Sequence, residues 1–254
     1  MIVLKSPSEI ERMRVAGRVT ALTIQRILES VRPGMSTLDL DRIGERSIRS
    51  EGCTPSFLGY RGFRGSICTS IDHEIVHGIP SPKRILHEGD LLSLDVGAVY
   101  QGYHGDSAVS VFVGGRAPSE EAARLVKVTE EALYAGIDAM RVGGRISDIG
   151  HAVQEVAEPA GYSLVREYGG HGVGRALHED PIVLNHGRPG RGPVIKAGLV
   201  IAIEPMVNVG QAATEVLDDD WTVVTADGSL SAHFEHTIAM TEDGAEVLTA
   251  RSAP

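Results

Sequence analysis

Between Ser8 and Ser30, apolar side chains recur at helical spacing, with Ile10, Met13, Ala16, Ala21, Ile24, Ile27 and Leu28 near one face. Arg32-Pro33-Gly34 ends that pattern. Ser36, Thr37 and Asp39 then open a second predicted helix, which runs to about Ser50 and is closed by Gly52. A similar pair follows, from Pro118-Ser119-Glu120 to Met140 and from Ser147-Asp148 to about Gly161. The likeness keeps register: Arg32, Gly34, Asp39, Leu40 and Gly52 reappear 109 residues later as Arg141, Gly143, Asp148, Ile149 and Gly161. A duplicated helix-helix-strand unit is therefore expected, over 8–113 and 118–240, packed about a pseudo-two-fold axis. The period is too long for a solenoid. With no low-complexity linker, 1–254 is expected to form a single α+β domain.

Alternation of apolar and polar positions marks the strands. In 91–99, Leu92, Leu94, Val96 and Ala98 share one face, and Ser93, Asp95 and Gly97 the other. In 104–113, Val109, Val111 and Val113 lie opposite His104, Asp106, Ala108 and Ser110. The runs meet at Tyr100-Gln101-Gly102-Tyr103, and a two-residue loop at Tyr100-Gln101 would set Asp95 directly across from Asp106. Carboxylates so placed repel one another unless one is protonated or a cation lies between them. The stretch Gly89–Asp95 returns 109 residues later as Gly198–Glu204, so one acid lands on another. A further predicted strand, 231–240, carries His233, Glu235 and Thr237 on one face. Four strand carboxylates on polar faces point to cation binding more than to charges guarding a sheet edge.

Composition narrows the field. Hydrophobic residues make up 42% and charged residues 23%, which is globular and excludes wholesale disorder. The net charge of −10 and the lack of a basic stripe argue against a nucleic-acid reader. Two cysteines, Cys53 and Cys68, are too few for a disulfide framework or a four-thiolate zinc site. No apolar run reaches the ~20 residues of a membrane span. The first residues are charged and punctuated by Pro7 too early for a signal peptide, so a soluble cytoplasmic protein is expected.

Two histidine clusters remain. Gly169-Gly170-His171-Gly172-Val173-Gly174 lacks the order of a phosphate-binding loop, and no Lys-Ser/Thr follows. The alternative is a tightly bent backbone that projects His171 and His178 into one cavity as ligand and acid/base. His73-Glu74-Ile75-Val76-His77 spells the H-E-x-x-H zinc motif, which works only on a helix. Here Gly78, Pro80 and Pro82 follow at once, leaving His77 as a lone candidate beside a turn. Phe57, Tyr60 and Phe63 crowd a glycine-interrupted loop, read either as core or as an apolar substrate pocket.

At these residues the chain resembles the type I methionine aminopeptidases. The stretches are Thr54–Tyr60, His77-Gly78-Ile79-Pro80, Leu94-Asp95-Val96-Gly97, Gly102–Asp106, Gly170–Gly174, Ile203-Glu204-Pro205-Met206 and Phe234-Glu235-His236-Thr237. The resemblance implies the pita-bread fold and removal of amino-terminal methionine from nascent chains when the second residue is small. It also implies two divalent metal ions (Co, Mn, Fe or Zn) on Asp95, Asp106, His171, Glu204 and Glu235, with Asp106 and Glu235 bridging. By the same resemblance Glu204 moves the water's proton, and His77 and His178 contact substrate. Phe57, Tyr60, Phe63, Cys68, Leu177 and Trp221 would line the methionine pocket. A monomer acting on nascent chains, with the ribosome as a further partner, is the partner expectation. Three positions depart from the family. Asp72 stands where Asn is frequent beside a monovalent-cation site near Ser231, His233 replaces a frequent Gln, and Leu177 replaces a frequent aromatic. The rival readings are a zincin at His73 and His77, and a binding module that has lost its chemistry.

Overall fold

The computed structural model describes residues 1–251. Its first half runs through helices α1 (Pro7–Leu28) and α2 (Thr37–Ser50), then strands β1 (Thr54–Pro55), β2 (Ile67–Ile71), β3 (Glu74–Val76), β4 (Leu91–Tyr100) and β5 (Tyr103–Phe112). Helices α3 (Glu120–Ala139) and α4 (Ile146–Ala157) open the second half. Strands β6 (Ser163–Leu164), β7 (Gly170–Gly172), β8 (Glu179–Val183), β9 (Val200–Ile203) and β10 (Met206–Asn208) come next. The last are β11 (Thr214–Val216), β12 (Val223–Thr225), β13 (Ser231–His233), β14 (His236–Thr241) and β15 (Gly244–Val247).

The duplication is written into the local chemistry. Asp39 closes a capping box on α2, taking hydrogen bonds from the Ser36 amide and hydroxyl. At the equivalent place Asp148 accepts from the Arg145 amide, so α4 begins at Ile146, one residue before the predicted Ser147. Isolated bridges Ser36–Ile85 and Arg145–Val194 are themselves 109 residues apart. So are the left-handed glycines Gly34 and Gly143, Gly52 and Gly161, and Gly89 and Gly198.

One half-sheet has β4 at its centre, flanked by β2, β5 and the short β1; the other has the order β15-β14-β9-β7-β8. Helix α1 covers β4 and β5 with Ile10, Met13, Ala16, Ile24 and Ile27, while α3 lies over β9, β10 and β13. The largest buried cluster spans both halves, joining Leu94 and Val96 to Ile201, Ile203 and Ile238. The halves are sewn together where Ala108 and Glu235 exchange backbone hydrogen bonds of 3.0 and 3.3 Å.

Two expectations need correction. The β4–β5 turn is Gln101-Gly102, not Tyr100-Gln101, because Tyr100 still pairs with Tyr103. Both turn residues have positive φ, 48° and 79°, as the favoured two-residue hairpin requires. The register therefore moves: Asp95 faces Ala108 and Asp106 faces Gly97, so the two acids are diagonal neighbours on one face. The expected strand 231–240 is also two strands, β13 and β14, interrupted at Phe234 and Glu235.

Candidate metal centre and substrate cavity

Each half brings two acids to the seam. Asp95 and Asp106 come from the polar face of the β4–β5 hairpin. Glu204 follows the last residue of β9, and Glu235 lies in the break between β13 and β14. His171 enters from β7, and ligand atoms of Asp106, His171 and Glu235 all lie within 4.8 Å of one another. Gly170 and Gly172 make this approach possible. A Cβ on either would sit 2.2 Å from a carbonyl oxygen, of Ala202 or Asp180. The glycines thus serve close strand packing, and of the two readings of this segment the bent backbone is the one realised. The Nδ1–H of His171 donates to the Gly172 carbonyl at 3.0 Å, which leaves Nε2 free as a ligand.

The electrostatics call for a cation. Burial, reinforced by mutual repulsion, pushes Asp106 and Glu235 well above the usual carboxylate range. Burial also lifts Asp95 to about 7. One oxygen each of Asp95, Asp106 and Glu235 is buried without a hydrogen-bond partner, a donor set suited to a divalent ion. Glu204 behaves differently. Burial alone would raise it, but His233, His171 and His178 outweigh that and hold it below its ordinary value. His171 Nε2 and His233 Nε2 each stand 3.6 Å from a Glu204 oxygen.

His178, in the loop before β8, packs on His171 with ring centroids 4.1 Å apart, and its Nδ1 meets the Tyr60 hydroxyl at 2.9 Å. Burial lowers His178 to about 4 and also lowers His77, so both are neutral near pH 7. Beyond them, Phe57, Phe63, Cys68 and Leu177 form a buried apolar cluster, flanked by Tyr60, Ile79 and Trp221. Phe63 meets Trp221 edge to face at 5.1 Å, and His77 meets Trp221 at 6.0 Å.

One cavity of about 160 Å³ is lined by all thirteen residues singled out from the sequence: Phe57, Tyr60, Phe63, Cys68, His77, Asp95, Asp106, His171, Leu177, His178, Glu204, Trp221 and Glu235. Arg61 also lines it and had no sequence signal. Tyr168, 6.2 Å from the His77 ring, was likewise unmarked. His233, which the sequence places on the face of Glu235 but to which it assigns no role, stands 3.6 Å from Glu204. Its place two residues before Glu235 on an alternating stretch was the clue that it faces the same site.

The zincin reading fails on geometry. Residues 74–76 form strand β3, paired with β12, and His73 is exposed. Glu74 is committed to the Ile71 amide and to Arg84. His73 and His77 flank this three-residue strand from outside it, His77 with a left-handed backbone (φ 63°), and of the two only His77 lines the cavity.

A buried cluster of acids and one imidazole, next to neutral histidines and an apolar pocket, defines a metal-dependent hydrolase on a duplicated sheet. Comparison with known proteins makes the class specific. The profile of metallopeptidase family M24 matches residues 11–242. Methionine aminopeptidase 1 of Bacillus subtilis (strain 168) is 52% identical over 249 residues, covering 98% of this chain and 99% of that protein. Methionine aminopeptidase of Clostridium acetobutylicum is 50% identical, with the same coverage. The crystal structure of methionine aminopeptidase from Thermotoga maritima superposes with a TM-score of 0.96 at 44% identity, over 99% of this chain and 100% of that one. The chain belongs to metallopeptidase family M24, among its methionine aminopeptidases, and has the pita-bread fold. It is a hydrolase of peptide bonds that depends on divalent metal. No helix among the described residues is long and apolar enough to cross a membrane.

Proposed function

We propose that this site releases methionine from the amino end of polypeptides, nascent chains among them, when the second residue is small. The observation that carries the reading is a single cavity in which the acid–imidazole cluster adjoins the apolar pocket. Asp95, Asp106, His171, Glu204 and Glu235 would hold the two divalent ions. Oxygen-rich ligation with one imidazole suits Mn, Fe or Co at least as well as Zn. Bound there, such ions supply Lewis acidity that activates water and polarises the scissile carbonyl.

The remaining work falls to side chains. Glu204, held ionised by its histidine neighbours, accepts the water's proton and passes it toward the leaving amine. With the Tyr60 hydroxyl donating to Nδ1, His178 keeps its proton on Nε2 and donates it as a hydrogen bond to the carbonyl oxygen as negative charge develops. His77 positions the amide, and its edge contact with Trp221 fixes its ring. The methionine side chain fills the space between Phe57, Tyr60, Phe63, Cys68, Leu177 and Trp221. The packed β7 backbone walls the scissile bond and leaves little room for the second side chain.

The reading extends to one catalytic domain over 1–254, working as a cytoplasmic monomer on chains emerging from the ribosome. A monovalent cation near Asp72 and Ser231 belongs to it as well. Ser231 Oγ and Asn208 Oδ1 are buried without partners there, although the Asp72 carboxylate is already engaged by the Leu91 amide. The deciding experiment is hydrolysis of Met-Ala and Leu-Ala peptides by chelated protein reloaded with Mn or Co. The expected result is metal-restored cleavage of the first and little of the second. Equal cleavage of both, or cleavage indifferent to chelation, overturns the reading. A binding module would give no metal-dependent cleavage at all.

A further inference from the structure

Beyond the cavity a second depression of about 500 Å³ continues from it, sharing His77, His171, His178 and Glu204. Its floor is the outer face of β8, the edge strand of the second half-sheet. The register pairs His171 with Ile182, so the Ile182 side chain emerges on the same face as the metal-facing imidazole, one strand further out. Ile182 is nevertheless 69% exposed, and Leu184, just past the end of β8 and lining the same depression, is 41% exposed. Two large apolar side chains left in solvent directly beside a reaction centre have no role in the core, where Pro181 and Val183 on the opposite face of β8 are buried. The facing wall is Tyr168, whose ring meets His77.

We propose that this groove binds the substrate residues beyond the second, and that Ile182 and Leu184 set a preference for apolar side chains there. The inference rests on the aminopeptidase reading above. With methionine in the apolar pocket and its carbonyl over the acids, the rest of the chain must leave on the other side of His171 and Glu204, which is where this groove begins. An extended peptide rises ~3.3 Å per residue, so its alternate side chains repeat over a distance that can span from Ile182 on β8 to Leu184 just beyond it.

The test compares Met-Ala-Leu-Leu-Leu with Met-Ala-Ser-Ser-Ser, using metal-loaded enzyme. Each kcat/KM is divided by that of the same protein on methionine p-nitroanilide, whose leaving group is too short to enter the groove. The wild-type protein is expected to favour the leucine peptide about three- to tenfold, chiefly through KM, as one or two newly buried methylene groups would give. In Ile182→Ser the normalised ratio should approach one, and Leu184→Ser should lower it part of the way. Leu184→Ser alone decides the matter should Ile182→Ser fail to fold. A wild-type ratio near one, or a ratio unchanged in the variants, overturns the inference while leaving the aminopeptidase reading intact. Failure to cleave either peptide or the anilide is instead a failure of that reading.

Discussion

In the amino-terminal half, Asp95 and Asp106 lie inside an unbroken hairpin of ten residue pairs; in the carboxyl-terminal half, Glu204 and Glu235 lie where ladders stop. The first arrangement fixes its acids by register alone, and they end up as diagonal neighbours lifted together by burial. The second releases Glu204 from the strand at Pro205, close enough to His171 and His233 to stay ionised. Duplication supplied acids at one pair of equivalent positions, Asp95 and Glu204. Where β9 stops, Glu204 sits among histidines that hold it ionised, whereas its counterpart Asp95, inside the unbroken ladder, is lifted by burial, as Asp106 and Glu235 are.

Substituting across the two halves tests that division most severely. Asp106→Asn and Glu235→Gln should each lower kcat/KM by about 10³ or more, since each removes a proposed metal ligand, with bound metal measured in parallel. The same changes should raise the melting temperature of metal-free protein at neutral pH by a few degrees. These carboxyls titrate above their unfolded values, so they support the metal-free fold at low pH and the support is lost as pH rises through the folded value. Glu204→Gln should abolish activity without that gain, because its folded pKa lies below the ordinary value. A stability gain for Glu204→Gln equal to that of Asp106→Asn would erase the proposed distinction.

Next in size is His178→Ala, expected to cut kcat by ~10²–10³ while changing KM less. Unchanged kcat with full metal content would make the residue structural. Each half also buries a neutral histidine outside the cavity, His104 on β5 and His236 on β14, lowered by burial to about 4 and about 3. Both lie below the unfolded value, so stability present above about pH 6.5 is lost as pH falls toward those values. At pH 5 each contributes on the order of 2 kcal/mol to that loss. Denaturant unfolding of metal-loaded His104→Gln and His236→Gln against wild type at pH 7 and pH 5 measures it. A pH slope identical in all three would discard the buried-histidine account. The smallest effect belongs to Leu177, 2% exposed in the pocket wall. Leu177→Phe should widen the preference for methionine over norleucine by a few-fold, and equal selectivity would remove Leu177 from the argument.

Much of this was legible in the sequence because it was written locally. Caps such as Asp39 and Asp148, and glycines such as Gly34 and Gly143, specify helix ends through their nearest neighbours, so their repetition marks the duplicated fold. The acids showed themselves by standing on alternating faces. What escaped was decided at longer range. Gln101 adopts a left-handed backbone because pairing continues to Tyr100 and Tyr103, and no residue beside it announces that. The gap at Phe234 and Glu235 leaves no mark, since apolar alternation runs straight across it. There Glu235 exchanges its backbone hydrogen bonds with Ala108, more than a hundred positions away. Arg61 enters the cavity from a single-turn 3-10 segment with positive φ, which no periodicity foretells.

That exchange between Ala108 and Glu235 also sets a schedule. Neither half holds all four seam acids: Asp95 and Asp106 are translated long before Glu204 and Glu235, and the bond that aligns them cannot form until residue 235 has been made. Contacts of such sequence separation form late in folding. A growing copy of this chain therefore lacks the means to act for nearly all of its own synthesis, and gains them in one step as the seam closes.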